Sequence, residues 1–437
     1  MKTHFRRNRS KLSNKSKIFV WTLFDLANTS YSIIVVTFLF AVYFKKTIAN
    51  GEPIGDLYWS IGISISMFIT AIISPVLGAI ADYAAGKKRF LLFFTSLCIL
   101  STAMLFFTGE GDIFFALIFF ILANIGFEAG LVFYDAFLPE ITEPKNFGRV
   151  SGYGFAAGYV GSLLSLAIAF PFIQAEMIKE TFPISALFFL IFSLPLFIFI
   201  KDTRKKVETT ESFIKIGFNR VWTTITHLKN YKNLAWFLLA FFLYIEGVNT
   251  VIFFSGNYAS TTLNFSISEL IIFFIIVQST AIIGAILFGI LADSIGQKKT
   301  IVLSLLIWIF TVFVAYFTSS KEAIIVQKLS ELFEVESQQI LIQSFYIVGL
   351  LAGSVLGATQ SVSRSFMAKL TPENRKTEFF GFFSFFNKSS AILGPLVFGM
   401  LSFITGSQRI SILSLVLFFV FGLIILRKVK DPGLAEN

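Results

Sequence analysis

The sequence predicts an all-α polytopic membrane protein with twelve transmembrane helices. Of its 437 residues 55% are hydrophobic and 14% charged, with 57 Phe and a mean hydropathy of +0.78, so polar side chains are too few to cover a soluble globule of this size. Apolar runs of about 20 residues, enough to cross roughly 30 Å of hydrocarbon, recur at regular intervals. The ten-residue alternation of a transmembrane β-barrel does not occur.

The first span (18–44) follows a tail with seven Lys and Arg. It is too long for a signal peptide and no small-residue cleavage site follows it, so it is expected to be retained. The second (57–82) ends in GAIADYAAGKKR, and the third (90–108) begins after those cations. The fourth (113–138) contains Glu128 and Asp135, the fifth (150–173) contains the glycines of SGYGFAAGYVG, and the sixth (183–200) leads into a basic stretch. The seventh (233–255) contains Glu246, the eighth (268–292) ends at GILADSIGQKK, and the ninth (300–318) precedes SSKEAIIVQKLSELFEVESQQ. That segment, 319–339, is charged and only partly apolar, which predicts an amphipathic helix in a loop and not a thirteenth span. The tenth (340–364), the eleventh (378–405, enclosing Lys388) and the twelfth (409–427) complete the set. The expected organisation is a basic cytoplasmic tail (1–17), an N-terminal six-helix bundle (18–200), a cytoplasmic linker (201–232), a C-terminal six-helix bundle (233–427) and a cytoplasmic tail (428–437).

Cations set the orientation. Placing both termini on one side puts 29 Lys and Arg there, against six opposite and Lys388 within a span. The positive-inside rule then makes both termini cytoplasmic. On this reading the net charge of +10 is topogenic, gives no support to a nucleic-acid partner, and adds attraction to anionic membrane lipid. The one cysteine, Cys98, lies in an apolar run, and His4 and His227 are far apart in a tail and a loop, so no metal site is expected. No phosphate-binding or dinucleotide signature occurs, and no cofactor is expected. An enzyme reading also fails, because no His is available as a base near a Ser in a span.

The two halves echo each other. Gly78 to Arg89 and Gly289 to Lys299 both place Asp four residues after Gly at a helix end, followed by a glycine and cations. LFDLANTSY (Leu23 to Tyr31) and LYIEGVNTV (Leu243 to Val251) both carry an acid, Asn three residues later, then Thr. FGRVSGYG (Phe147 to Gly154) echoes FGFFSFFN (Phe380 to Asn387). Three matches in the same order make a six-plus-six repeat.

The pattern G-x-x-x-D-x-x-x-G-[RK]-[RK] after the second span resembles the signature of the major facilitator superfamily. The resemblance implies two six-helix bundles with pseudo-twofold symmetry about the membrane normal and a central cavity lined by the first, fourth, seventh and tenth spans. Within that superfamily, ATQSVSRSFMAKLTPENRKTEFFGFFSFFNKSSAILGPLVFG (Ala358 to Gly399) is similar to the vacuole-effluxer-like family, as are FDLANTSY, NIGFEAGLVFYDAFLPEI and FLYIEGVNTVI. Two positions depart from that family's pattern: Asp135, where Asn is usual, and Glu246, where Asp is usual.

A charge at mid-bilayer costs about 2.5 to 3.5 kcal/mol on insertion scales, so each calls for a partner or a wet cavity. At 1.5 Å per residue, Glu246 and Glu128 lie about 20 Å and Lys388 about 15 Å along their spans, all near the middle. Asn124 and Glu128 share a helix face with Asp135 two turns on; Asp25 shares one with Asn28, and Glu246 with Asn249. The acid and amide of each half are expected to face one pathway. The expected substrate- or ion-binding set is Asp25, Asn28, Tyr31, Glu128, Asp135, Glu246, Asn249, Gln360 and Lys388. The expected conformational latch is Gly78, Asp82, Gly86, Asp293 and Arg364. The plainer alternative makes Glu128 and Lys388 a structural ion pair and Asp82 and Asp293 helix caps. Gly152, Gly154, Gly158 and Gly161 are expected to permit close helix approach.

These features point to a monomeric secondary transporter of a small-molecule substrate, working by alternating access with possible proton coupling. The family resemblance implies amino acids or related zwitterions and efflux, at the cell membrane or a vacuolar membrane. Two alternatives stand beside it: a proton-coupled exporter of drugs or cations, and a non-transporting membrane scaffold.

Overall fold

Six long helices in each half, and two shorter amphipathic ones, account for nearly all of the described chain. The structure is a computed structural model and describes residues 13–52, 54–84, 86–202 and 212–432. Most of the expected N-terminal tail, the middle of the linker and the last five residues lie outside the described residues.

The first span, Asn14–Ile48, changes pitch along its length. An α-helix (Asn14–Tyr31) gives way to a π-helical stretch (Ser32–Phe38), an α-helical turn (Leu39–Tyr43) and a second π stretch (Phe44–Ile48). The N-terminal half continues with Ile54–Ala84, Lys87–Met104, Ile113–Asp135, Phe147–Gln174 and Thr181–Phe199 as the second to sixth spans. An amphipathic linker helix, Phe213–Thr226, precedes the seventh span, Lys232–Thr261. The eighth, Ile267–Ile295, begins with a reciprocal cap between Ser266 and Glu269 and stops at Gly296, whose φ of 98° favours glycine. Gln297–Thr318, Ser337–Leu370, Lys376–Thr405 and Gln408–Leu426 follow as the ninth to twelfth. The segment expected to be a loop helix contains the ten-residue helix Ile324–Phe333.

Among the described residues, eleven helices are long and apolar enough to cross a membrane. The eleventh span has 30 residues, of which Leu396–Thr405 forms its described apolar stretch.

Packing repeats with the sequence. In the first half, span 1 packs on 5 and 6, span 3 on 4 and 6, and span 2 on 4; in the second, 7 packs on 11 and 12, 9 on 10 and 12, and 8 on 10. Adding six to each number turns one set into the other, which is the pseudo-twofold relation. The halves meet chiefly through spans 2 and 11 and spans 5 and 8, a pairing that the same operation exchanges. Small residues allow this approach: a Cβ on Gly152 would run into the Ala285 carbonyl, and Gly148 faces Gly289.

The cation-rich loops converge on one face, called the basic face below. There Lys88 Nζ donates to the Ile200 carbonyl at 2.5 Å, Asn233 bonds the Lys430 carbonyl at 2.8 Å, and Lys369 pairs with Asp431 at 3.3 Å. Lys87, one of the expected loop cations, is buried, donating to the Ala136 carbonyl and pairing with Glu140 at 2.6 Å.

Candidate functional site

Arg364 was expected at the very end of the tenth span, but the helix continues to Leu370 and encloses it. Its side chain is 3% exposed, and its guanidinium is shared by both halves of the protein. Nη1 lies 3.2 Å from Asp25 Oδ2 and 3.1 Å from Asp135 Oδ1. Nε donates to Ser151 Oγ at 2.9 Å, and Nη2 to the Ser151 carbonyl at 2.9 Å. Phe155 and Trp21 lie under the cation, with ring centroids 4.3 and 4.8 Å away. Tyr134 stacks on Trp21 at 4.7 Å and donates its hydroxyl to Asp25 Oδ2 at 2.7 Å.

Local sequence explains the convergence. Trp21 and Asp25 stand one helical turn apart on the first span, while Tyr134 and Asp135 end the fourth. Gly154 leaves the room that Arg364, Asp25 and Trp21 occupy. Charge neutralisation by two carboxylates and hydrogen bonds to most of its donors is what lets a guanidinium reside here. Removing one partner of such a buried pair costs about 3–5 kcal/mol.

A second layer lies deeper. Lys388 of the eleventh span forms an ion pair with Glu128 of the fourth, both largely buried. On the Glu128 face, Asn124 donates to Ser66 Oγ at 2.8 Å and faces the Tyr31 hydroxyl at 3.4 Å. Asn28 is also buried. Tyr159 of the fifth span donates to Gln360 Oε1 of the tenth at 3.2 Å, another contact between halves. All the acids in these cross-half pairs come from the first half, and both cations come from the second.

Glu246 and Asn249 depart from expectation. Glu246 is fully buried inside the C-terminal bundle, where Oε2 accepts the Gly394 N–H at 2.5 Å. Asn249 donates to Ser390 Oγ at 3.0 Å. Both contacts join the seventh span to the eleventh within one half. The physical reason is Gly394, whose missing side chain lets the eleventh helix approach closely enough for the carboxylate to reach backbone. The acid and amide pairs of the two repeats are therefore not equivalent in position.

At the basic face, Asp82 Oδ2 accepts the Glu378 N–H at 2.8 Å, at the start of the eleventh span. Asp293 accepts the Gly148 and Arg149 N–H groups at 2.7 and 3.0 Å, at the start of the fifth, and Arg149 Nε at 2.8 Å. Each aspartate thus caps a helix of the opposite half, where amide donors and the helix dipole favour a negative charge. Gly78, one turn before Asp82, packs on the backbone of Thr377 and Glu378. Gly86 is an N-cap with φ −143°, a conformation open to any residue, so only its counterpart Gly296 needs to be glycine. Buried Glu378 is also engaged by Arg220 of the linker helix at 3.3 Å, Arg375 at 3.5 Å and Thr224.

Arg364 thus sits in the central polar core between the halves, apart from the caps at Asp82 and Asp293 with which it was grouped. The residues that sequence reasoning missed are Trp21, Tyr134, Ser151, Tyr159 and Glu378. Tyr134 adjoins Asp135 in the quoted fourth-span motif, and Ser151 opens the glycine-rich one, so both lay within stretches already singled out.

With twelve spans paired in this way, comparison with known proteins becomes decisive. The sequence model of the family described as "Vacuole effluxer Atg22 like" matches residues 58–147 and 142–431. The chain belongs to this family. Within reach of this Atg22-like chain, the uncharacterized MFS-type transporter YxiO of Bacillus subtilis (strain 168) is 33% identical over 427 residues, covering 94% of each protein. Autophagy-related protein 22 of Kluyveromyces lactis is 24% identical, over 82% of this chain and 76% of its own. Among solved structures, the human organic anion transporter MFSD10 (TETRAN) superposes with a TM-score of 0.73 at 13% identity, covering 95% of this chain and all of the other. The proton:xylose symporter XylE gives 0.70 at 14% identity, covering 96% and 97%. These two likenesses establish the major facilitator fold. The Atg22-like chain is a membrane transporter and not an enzyme.

Proposed function

We propose that this transporter moves small zwitterions of the amino acid class out of a compartment or the cell by alternating access. One observation carries the reading. In the central layer the acids facing the other half, Asp25, Glu128 and Asp135, line the first half, and the cations Arg364 and Lys388 line the second. A zwitterion presents the same two charges in one small molecule: its ammonium replaces a cation at the acids, and its carboxylate replaces an acid at Lys388 or Arg364. The closed cross-half pairs are then the state without substrate, and the substrate restores charge balance as they separate. The family's description as vacuole effluxers supports export.

The two six-helix halves, residues 18–200 and 233–427, rock as units about this layer, with the caps at Asp82 and Asp293 holding the basic face shut. The 29-to-6 cation asymmetry, little changed by moving Arg364 into a helix, supports both termini and the linker in the cytoplasm. Two acids face the single Arg364, and Glu246 meets only backbone donors, which supports proton coupling through these carboxylates.

The test is counterflow in proteoliposomes with a labelled amino acid panel and single-charge analogues. Amino acids are expected to compete at least tenfold better than the matching amines or deaminated acids, since each lost charge-assisted hydrogen bond is worth about 1.5–3 kcal/mol. Equal competition by the amines would replace this reading with a cation exporter. C-terminal reporter fusions test the orientation, and activity on the non-cytoplasmic side would overturn it.

A further inference from the structure

The linker helix does more than connect the halves. Its Gly217 packs against Val76 and Ile80 of the second span, while Ile214, Phe218, Trp222 and Ile225 stay exposed along its other side. A short helix with one such apolar side lies in the membrane interface. Beside it opens a cavity of about 1070 Å³, larger than the roughly 300–1,000 Å³ of a site for a drug-sized ligand. Ile72 and Pro75 of the second span form one wall, and Phe382 and Phe386 of the eleventh form another. It therefore straddles the line along which the halves meet.

Its rim has a sign. Lys229 and Lys232, both exposed, border the cavity on the basic face, and Lys428 sits 4.3 Å over the ring of Trp236, which lines it. Buried Glu378, at the start of the eleventh span, is already engaged by Arg220, Arg375 and Thr224, which leaves the rim lysines to an external anion. An apolar, aromatic-walled slot in the membrane with cations at its polar end matches a phospholipid: acyl chains in the slot, phosphate at the rim.

We propose that this groove is a binding site for one anionic phospholipid of the leaflet at the basic face. The wall on the eleventh span lies within two turns of Glu378, whose N–H caps on Asp82, so the lipid bridges both halves beside the latch. Occupancy stabilises the contact between the second and eleventh spans, which together wall the groove.

Intrinsic fluorescence reads the site directly. Trp21, Trp59 and Trp308 are buried, leaving Trp222 and Trp236 within reach of lipid. In the full-length Trp222→Phe protein, reconstituted in phosphatidylcholine vesicles, Trp236 is titrated with brominated phosphatidylglycerol or brominated phosphatidylcholine. Quenching by the anionic lipid should half-saturate at a mole fraction at least tenfold lower. Lys229→Gln with Lys232→Gln should remove that preference, each lysine contributing about fivefold, the equivalent of about 1 kcal/mol. Ala235→Phe, which fills the groove, should abolish the high-affinity component for both lipids. Equal half-saturation by the two lipids would overturn the proposal. So would a preference that survives the lysine substitutions, or one unchanged by Ala235→Phe, which would mark surface attraction without a groove.

Discussion

Replacing Asp293 by Ala should unlock the basic face, and the structure sets the size of the effect. The carboxylate accepts two backbone N–H groups at the first turn of the fifth span, and losing an N-cap of this kind costs about 0.5–2 kcal/mol. Its ion pair with Arg149 is at 2.8 Å, but the arginine is 44% exposed, so that contact adds less than about 1 kcal/mol. Together they stabilise the closed conformer by about 0.5–3 kcal/mol, which is roughly a 2- to 150-fold change in the closed-to-open ratio. Spin labels at Lys145 and Lys299, exposed positions on opposite halves of the basic face, report that ratio as a distance distribution, with buried Cys98 replaced by Ala. The variant should gain a long-distance population by that factor, and any change in apparent substrate affinity should be no larger than this population shift, because Asp293 lies outside the central charges. A distribution within twofold of the parent would refute the capping argument.

Three further outcomes follow from the same geometry. Gly152→Val should shift the label distances in the same direction, since its side chain cannot fit against the Ala285 carbonyl; unchanged distances would mean that spans 5 and 8 are not the closing surface. Glu128→Gln and Lys388→Gln should each lower thermal stability in detergent, by an amount corresponding to about 3–5 kcal/mol, whereas the double variant recovers most of it; additive losses would show that the pair is not coupled. Glu246→Gln should abolish proton-driven accumulation but retain exchange across a symmetric membrane, as its carboxylate touches only the C-terminal bundle; accumulation at the parental rate would remove Glu246 from coupling.

Much of this architecture is legible in the sequence because it rests on short-range signals. Run length gives the spans, cations give the common face, and the Gly-x-x-x-Asp repeat marks the two caps, since Gly78 and Asp82 meet the same helix start one turn apart. What could not be read is which way a helix faces when it is apolar all round. Glu246 carries the same motif as Asp25, yet the freedom at Gly394, 148 residues away, turns it into its own bundle. Arg364 looked like a loop cation because a charge usually ends an apolar run. Its neutralisation depends on Asp25, 339 residues earlier, and no local pattern records that pairing. Lys388 and Glu128 were each legible as buried charges at mid-depth, so their meeting needed only the fold.

The reciprocal caps have a consequence for how the two halves differ. Each half offers a Gly-x-x-x-Asp helix end and a receiving helix start, so the closing surface is self-complementary, like the isologous contact of a twofold dimer whose subunits happen to be joined. Such a surface treats both halves alike and cannot tell one end of a bound molecule from the other. Vectorial discrimination must come from the place where the twofold is broken. That is the inner layer, where one repeat supplies the acids and the other the bases, giving the seam itself an electric polarity.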